Sequence, residues 1–277
     1  PSVSARPTLQ SDTRAGSGEN AAITAASATP LRIRGGGSKD FYGQALTGDV
    51  LDMSAFSGVV SYEPSELVVT VRAGTRLADL EALLAEQGQC LPFEPPHFGP
   101  NATVGGMVAS GLSGPARASV GGVRDYMLGV KIINGKGEHL TFGGQVMKNV
   151  AGYDVSRLMA GSMGTLGLLT EVSLKVLPVA PLEATLRFEC SQAQALQWLH
   201  AWGSKPLPLN ASCWVEDSGL GTLYLRLRGA VAAVEAACRT LGGQRQDPQS
   251  AAADWQACRG RRARYCFYSC LRNIDGG

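Results

Sequence analysis

The stretch Leu31-Arg32-Ile33-Arg34-Gly35-Gly36-Gly37-Ser38-Lys39 decides the fold, because a short apolar run ends there in three glycines, a hydroxyl and an ammonium. The apolar run predicts a β-strand. The glycines predict a loop whose successive N–H groups point into one concavity and which a pyrophosphate can approach closely. The stretch therefore predicts a strand leading into an anion-binding loop, with a phosphorylated cofactor as the guest.

Other glycine-rich motifs fit this loop less well. A Rossmann fingerprint has spaced glycines that open a helix and an acidic residue about twenty positions later. Asp52 meets the second condition, but Gly35 to Gly37 are contiguous and residues 39–46 show no helical apolar period. A Walker loop is excluded because the sequence contains no Gly-Lys-Ser/Thr. An ordinary glycine-rich surface turn stays open from this segment alone.

Composition and charge are those of a globular protein. The 277 residues are 44% hydrophobic, and 25 basic residues nearly balance 23 acidic ones, which gives a formal net charge of +2. That balance lacks the basic footprint of nucleic-acid binding. Seven cysteines are scattered without a C-x-x-C pair, so neither a disulfide framework nor a metal site is predicted.

Localisation follows from the same features. Cysteine usage of this kind fits a reducing compartment, and the N-terminus lacks the order of a signal peptide. No apolar segment is long enough to span a bilayer. We expect a cytoplasmic protein that reaches a membrane, if at all, through a partner.

Local patterns predict the elements that follow. A β-branched strand is expected at 67–73, then a leucine-striped helix with Thr75 as its N-cap and Gly88 as its left-handed stop. Asp154 is the expected cap of a short helix. A strand at 168–177 alternates apolar and polar residues, which predicts one buried and one solvated face.

Four glycine clusters recur in the first part of the chain, at 35–37, 101–115, 121–125 and 161–167. Thr103 is predicted to cap a short helix whose N-terminal amides face an anion. An extended dinucleotide needs N–H donors for its pyrophosphate and flat slots for its rings, and glycines permit both. Independent surface turns would produce the same spacing, so both interpretations stay open.

The second part of the chain differs in composition. Pro178 and Pro181 mark a domain boundary, after which a β-α-β-β-α order predicts half of a small α+β domain. We expect a poorly ordered N-terminus (1–20), a cofactor-binding domain (21–180), a partial cap domain (181–258) and an atypical tail (259–277). The basic, cysteine-bearing tail is either an anchor or metal site, or the product of a truncated or frame-shifted reading frame.

Four motifs follow one another in the first domain. They are Arg34-Gly35-Gly36-Gly37-Ser38-Lys39, Ala102-Thr103-Val104-Gly105-Gly106-Met107, Gly122-Val123-Arg124-Asp125-Tyr126-Met127-Leu128-Gly129 and Gly161-Ser162-Met163-Gly164-Thr165-Leu166-Gly167. Segments 50–54, 88–96 and 145–158 support them. Together they resemble the FAD-binding domain of the vanillyl-alcohol-oxidase (PCMH) type, and within it the FAD-binding subunits of bacterial glycolate oxidases.

The resemblance implies an α+β fold, in which a two-subdomain PCMH-type FAD-binding domain precedes a partial, smaller α+β cap domain. It also implies the residues that bind FAD. These are Arg34, Gly35, Gly36, Gly37, Ser38, Lys39, Thr103, Val104, Gly105, Gly106, Ser113, Gly114, Arg124, Asp125, Gly164, Thr165, Leu166 and Gly167. Arg124 and Asp125 could instead form a structural ion pair. Lys148, in a supporting segment, could instead be an ordinary surface charge.

Departures from the family pattern bear on the chemistry. Relatives that attach FAD covalently carry a histidine in the glycine loop, where this chain has Ser38 and Lys39, so we expect non-covalent FAD. Removal of a hydride from a hydroxy acid needs a base and cationic groups beside the flavin. His97 is a candidate flavin neighbour, and His200 is a surface or packing residue. No catalytic residue is therefore assigned.

The resemblance implies a role in a complex. The chain would be the FAD-binding subunit of a multi-subunit glycolate oxidase, which converts the 2-hydroxy acid glycolate to glyoxylate. A homologous FAD-containing subunit would oxidise the substrate and an iron–sulfur subunit would take the electrons onward. Two alternatives stay open: a self-sufficient FAD-linked D-2-hydroxy-acid dehydrogenase of the D-lactate type, and a non-catalytic subunit that holds flavin for assembly.

Overall fold

The computed structural model describes residues 30–45, 47–144, 153–217 and 220–260. In chain order the strands are β1 (Leu31–Arg34), β2 (Asp49–Asp52), β3 (Val59–Glu63), β4 (Val68–Arg72), β5 (Gln89–Cys90), β6 (Met127–Ile133), β7 (His139–Gly143), β8 (Leu168–Lys175), β9 (Leu177–Pro178), β10 (Leu182–Glu189), β11 (Leu209–Asp217), β12 (Leu220–Gly229) and β13 (Gln244–Arg245). The α-helices are α1 (Leu77–Glu86), α2 (Val104–Ser110), α3 (Arg117–Val120), α4 (Val155–Leu158), α5 (Gln192–Gly203), α6 (Val231–Leu241) and α7 (Pro248–Arg259).

The chain divides into two compact units. The first extends to Leu91 and adds His97–Leu112 and Gly122–Pro178. Pro92–Pro96, Ser113–Gly121 and the chain from Val179 form the second. Two short segments that the sequence assigns to the FAD-binding domain therefore pack with the second unit, and Ser113 and Gly114 are among them.

An antiparallel sheet of order β3-β4-β8-β6-β7 forms the centre of the first unit. The leucine stripe predicted for α1 is fully buried at Leu77, Leu80 and Leu84. A separate parallel pair joins β1 to β2 in register from Leu31 and Asp49 onward. Apolar residues of this pair pack with Ile133 and Leu168, at one end of β6 and of β8. The glycine loop therefore leaves a strand that is anchored to the core.

Three of the four helix-end predictions agree with the structure. Thr103 caps α2 by accepting from the Gly106 amide, and Asp154 caps α4 by accepting from the Arg157 amide, as predicted. Gly88 takes the predicted left-handed conformation at φ +62°. The predicted cap at Thr75 is wrong: Arg76 is the N-cap of α1. The Thr75 hydroxyl lies instead 3.0 Å from the Gly58 amide nitrogen and 3.2 Å from its carbonyl oxygen.

The prediction of a solvated face for the strand at 168–177 is also wrong in part. Ser173 is buried, and its hydroxyl lies 2.8 Å from that of Thr70 on the neighbouring strand. Thr170, which lies on the predicted buried face, is buried too and donates to the Lys131 carbonyl. Paired hydroxyls can be buried because each satisfies the other, which an alternating pattern of polar and apolar residues does not reveal.

The second unit contains an antiparallel sheet of order β11-β12-β10-β13. Val234 and Ala237 of α6 pack on one face of it with Leu186 and Leu225. Ala251 and Trp255 of α7 pack with Cys213 on the other. The predicted strands and two helices are present, while β13 and α7 were not predicted.

A buried ion pair fastens the two inserted segments to this sheet. Arg226 is 3% exposed. Its Nη2 lies 2.7 and 2.8 Å from the Glu94 carboxylate oxygens, and its Nε donates to the Asn210 side chain at 2.7 Å. Glu94 also accepts from the Ala116 amide at 3.2 Å, so one carboxylate holds both segments. The sequence did not point to this pair.

Some predictions lie outside the described residues. They concern the N-terminal segment 1–20, a short helix at 21–28, Lys148 and the tail beyond residue 260. Within the described ranges, no helix combines the length and apolar character needed to cross a bilayer.

Candidate functional site

The glycine loop after β1 packs backbone against backbone. A Cβ atom at Gly36 would overlap the carbonyl of Asn101, and one at Gly35 would overlap the Thr103 side chain. Gly37 has φ +67°, in the left-handed region that favours glycine. The first two clusters that the sequence singles out are therefore in direct contact, and the glycines are required for that contact.

Amide groups of this loop are available to a ligand. In the described part of the chain, no acceptor pairs with the N–H groups of Gly35, Gly36, Gly37 or Ser38. Backbone N–H groups without protein partners are normally satisfied by water or a ligand. Successive amides of this kind form the concavity that binds anions in phosphate-binding loops.

The amides at the start of α2 behave differently. The Val104 amide donates to the Thr75 carbonyl at 2.9 Å and the Gly105 amide to the Ala73 carbonyl at 2.7 Å. The Gly106 amide donates to the capping hydroxyl of Thr103. Our prediction that these amides face an anion is therefore wrong, because the protein itself occupies all three. Gly105 is needed for close packing, since a Cβ there would lie 2.8 Å from that of Ala73.

The fourth glycine cluster also contacts β1 and its loop. A Cβ at Gly164 would lie 3.4 Å from the Ile33 side chain, and one at Gly43 would lie 3.2 Å from the Met163 methyl. Thr165 closes the turn by donating to the Ser162 carbonyl at 2.6 Å. Three of the four glycine clusters thus meet around the loop that follows β1.

Unsatisfied buried polar atoms concentrate in the same region. Across the described residues, the buried side-chain atoms without a hydrogen-bond partner are Arg32 Nε, Lys39 Nζ and Ser162 Oγ. Leaving such a group unpaired costs about 1–3 kcal/mol, and more if it is charged. All three can donate a hydrogen bond, and the first two are cationic. This donor set fits an anionic guest, such as the diphosphate of a dinucleotide.

The pKa of Lys39 is shifted by its burial. Burial lowers the pKa of its ammonium from 10.5 to about 8. Its Nζ lies 5.9 Å from the centroid of the Phe98 ring. The adjacent Asp40 does not pair with it, because that carboxylate is held by Arg32 at 2.8 Å and by Arg34 at 2.9 Å.

The other residues predicted to bind FAD lie in different environments. Leu166 is exposed, and Gly167 at φ +144° has no room for a side chain beside the Ile133 carbonyl. Arg124 and Asp125 are exposed, and no ion pair joins these two described residues. Asp125 instead accepts from the Gly122 amide at 2.8 Å and closes a turn. Ser113 and Gly114 belong to the second unit and stay predictions.

His97, the candidate flavin neighbour, is already in contact with a carboxylate of the protein. His97 Nε2 lies 2.9 Å from the Glu81 carboxylate on α1. Sequence reasoning missed Arg32, Ser162 and Phe98 as members of the site. The signal for Arg32 was present, since it alternates with Arg34 along β1 on either side of an apolar residue.

Known proteins share this fold. Residues 20–143 match the model of a family described as FAD binding domain. The structure superposes on alkyldihydroxyacetonephosphate synthase with a TM-score of 0.69, 18% sequence identity, and coverage of 92% of this chain and 58% of that one. At that identity, the likeness concerns the fold alone.

Sequence relatives include subunits of glycolate oxidase. The chain is 51% identical over 216 residues to subunit GlcE of Escherichia coli, covering 78% of this chain and 61% of that protein. It is 31% identical over 159 residues to subunit GlcD of Bacillus subtilis, covering 57% and 34%. It is 33% identical over 144 residues to a mitochondrial D-lactate dehydrogenase of Arabidopsis thaliana, covering 51% and 25%.

The chain thus spans less than two thirds of the length of each of these relatives. The family match includes the loop, the orphaned donors Arg32 and Lys39, and the segment that contacts them. Residues 20–143 thus match an FAD-binding domain, and this match together with the glycolate oxidase relative indicates FAD as the cofactor.

Proposed function

We propose that this chain is the FAD-binding subunit of a multi-subunit glycolate oxidase and that it holds FAD without a covalent bond. The single observation that carries the proposal is the set of buried, unpartnered donors, Arg32 Nε, Lys39 Nζ and Ser162 Oγ, around a loop with free amides. The similarity to subunits GlcE and GlcD supports the choice of complex.

The residues of the chain act by binding and orienting. The amides of Gly35 to Ser38 would donate to the diphosphate of FAD, and Lys39 and Arg32 would offset its negative charge. When bound, FAD supplies a ring that accepts a hydride in oxidations of this class. Ser38 and Lys39 stand where covalent relatives carry histidine, so the flavin is released by denaturation.

Substrate oxidation belongs to a homologous FAD-containing partner in this proposal, and an iron–sulfur subunit carries the electrons onward. Two groups suited to hydroxy-acid chemistry are already engaged inside this chain: His97 contacts Glu81, and Arg226 is paired with Glu94. The complex is cytoplasmic and meets the membrane through its partners.

A flavin assay with two glycine variants tests the proposal. The purified protein should show a flavin spectrum, and acid precipitation should leave the yellow cofactor in the supernatant. Gly36→Ala should lose most of that flavin, because its Cβ would overlap the Asn101 carbonyl. Gly135→Ala is the matched control, since nothing lies within 4 Å of a Cβ there. Full flavin content in folded Gly36→Ala would contradict the site.

The similarity to D-lactate dehydrogenase favours one competing function, a self-sufficient hydroxy-acid dehydrogenase. Dye reduction with glycolate and with D-lactate separates the two. The isolated chain should be inactive with both substrates and should support glycolate oxidation when its partner subunits are added. Turnover by the isolated chain would favour the competing function.

A further inference from the structure

We propose that Lys39 makes FAD binding depend on proton uptake, because its ammonium pairs with the diphosphate and its neutral amine does not. The proposal rests on the proposed function, since it assigns a charge state to one residue of the same site. It predicts that affinity for FAD falls as the solution becomes alkaline and that one side chain accounts for the fall.

The position of the amine is set by packing. Lys39 follows the glycine loop directly, and its Nζ is buried against the ring of Phe98. Phe98 adopts φ +54°, a left-handed conformation that is uncommon outside glycine, and its ring contacts Phe41 edge-on at 5.1 Å. The neighbouring Gly99 lies beside Ser38, where its Cβ would be 3.7 Å away. An aromatic wall therefore holds the amine next to the loop and keeps water from it.

Charged groups on the surrounding elements are committed elsewhere. On β1 and its loop, Asp40 is bridged by Arg32 and Arg34. On the segment that carries Phe98, His97 is joined to Glu81 of α1. Within the described residues, no ion pair joins Lys39 to a carboxylate, and its Nζ has no hydrogen-bond partner. Desolvation is the cause of its lowered pKa, about 8.

The sign of the effect follows from linkage. A bound diphosphate favours the ammonium, so the pKa of Lys39 is higher in the complex than in the apoprotein. Below about pH 7 the apoprotein already carries the proton, and FAD affinity is independent of pH. Above pH 8 each binding event takes up a proton, so the apparent Kd rises. With the apoprotein pKa at about 8, the rise between pH 7 and pH 9.5 is about 30-fold if the complex stays protonated.

Titration of the flavin-free protein with FAD tests this directly. Flavin fluorescence gives Kd from pH 6.5 to 9.5, and calorimetry at pH 9 in two buffers of different ionisation enthalpy counts the protons taken up. The wild type should weaken about 30-fold over this range and take up close to one proton. Lys39→Met should bind more weakly at pH 7, with a flat profile and no proton uptake.

Two further variants control for charge and for flavin ionisation. Lys39→Arg keeps a permanent cation, so its profile should be flat although its absolute affinity differs. Lys136→Met removes an exposed lysine from the turn between β6 and β7 and should retain the wild-type profile. Ionisation of the flavin itself would appear equally in all four proteins.

The outcomes separate this inference from the proposed function. If wild type and Lys39→Met bind FAD with the same affinity and the same pH profile, the role of Lys39 is refuted while the FAD site stands. If the folded wild type binds no FAD at any pH, the proposed function fails first.

Discussion

Replacing Glu94 with glutamine tests the buried ion pair that fastens two segments to the second unit. Glu94→Gln keeps the shape of the side chain but removes the charge that offsets Arg226, whose side chain is only 4% exposed. Arg228 Nη1 lies 3.7 Å from the same carboxylate, so two cations would then face a neutral amide. Breaking a buried pair in this way costs about 3–5 kcal/mol, because an uncompensated charge stays inside.

The local backbone conformation adds to the stability that Glu94→Gln is expected to lose. Glu94 has φ +48°, a left-handed conformation that is held because its carboxylate accepts from Arg226 and from the Ala116 amide. Gly114 lies against it, and a Cβ there would overlap the Glu94 carbonyl. Weakening these hydrogen bonds frees both inserted segments at once.

Urea denaturation followed by tryptophan fluorescence measures the effect. All four tryptophans, at 198, 202, 214 and 255, lie in the second unit, so the signal reports that unit. Arg226 also stacks on Trp255, with its guanidinium carbon 4.7 Å from the ring centroid. We expect Glu94→Gln to lower the free energy of unfolding by about 3–5 kcal/mol.

Two comparisons make the result decisive. Glu189→Gln removes an exposed partner of Arg187, 66% accessible, and should cost under about 1 kcal/mol. The double variant Glu94→Leu with Arg226→Met removes both charges and should recover much of the stability lost in Glu94→Gln. If Glu94→Gln is no less stable than Glu189→Gln, the pair does not hold the segments in place and the reasoning is refuted.

Two further predictions concern the first unit and are measured by thermal unfolding with circular dichroism. Thr103→Ala leaves the Gly106 amide without its cap and should cost about 1 kcal/mol, whereas Thr103→Ser should not; equal losses would argue against capping. Leu80→Ala opens a cavity beneath α1 and should cost about 2–5 kcal/mol, against little change for the exposed Val231→Ala in the second unit; a loss as small as that control would contradict the core assignment.

Local chemistry accounts for the parts of the fold that were predicted correctly. Thr103 and Asp154 cap their helices because a cap needs only a side chain and an amide three residues on. Gly88 ends α1 because the residue after a helix often adopts a left-handed conformation, which glycine takes up without a steric penalty. The leucine stripe of α1 identified its buried face, since the helical period is a property of the chain alone.

Predictions failed where a group's partner comes from elsewhere in the chain. Thr75 has the right residue type for a cap, but its hydroxyl is engaged by Gly58. The amides of α2 looked available, yet carbonyls of Ala73 and Thr75 occupy two of them. Glu94 and Arg226 are separated by 132 positions, and no periodicity links two such residues.

The sequence by itself determined that glycine-rich bends follow short strands and that the chain carries the motifs of an FAD-binding domain. Which donors remain for the cofactor was decided only by tertiary structure. Among the described residues, Arg32 Nε, Lys39 Nζ and Ser162 Oγ are left without partners because packing buries them and the nearby Asp40 carboxylate pairs with Arg34 and with Nη2 of Arg32. Residue type sets what a group can donate, whereas burial and competition in three dimensions set whether it is still free to do so.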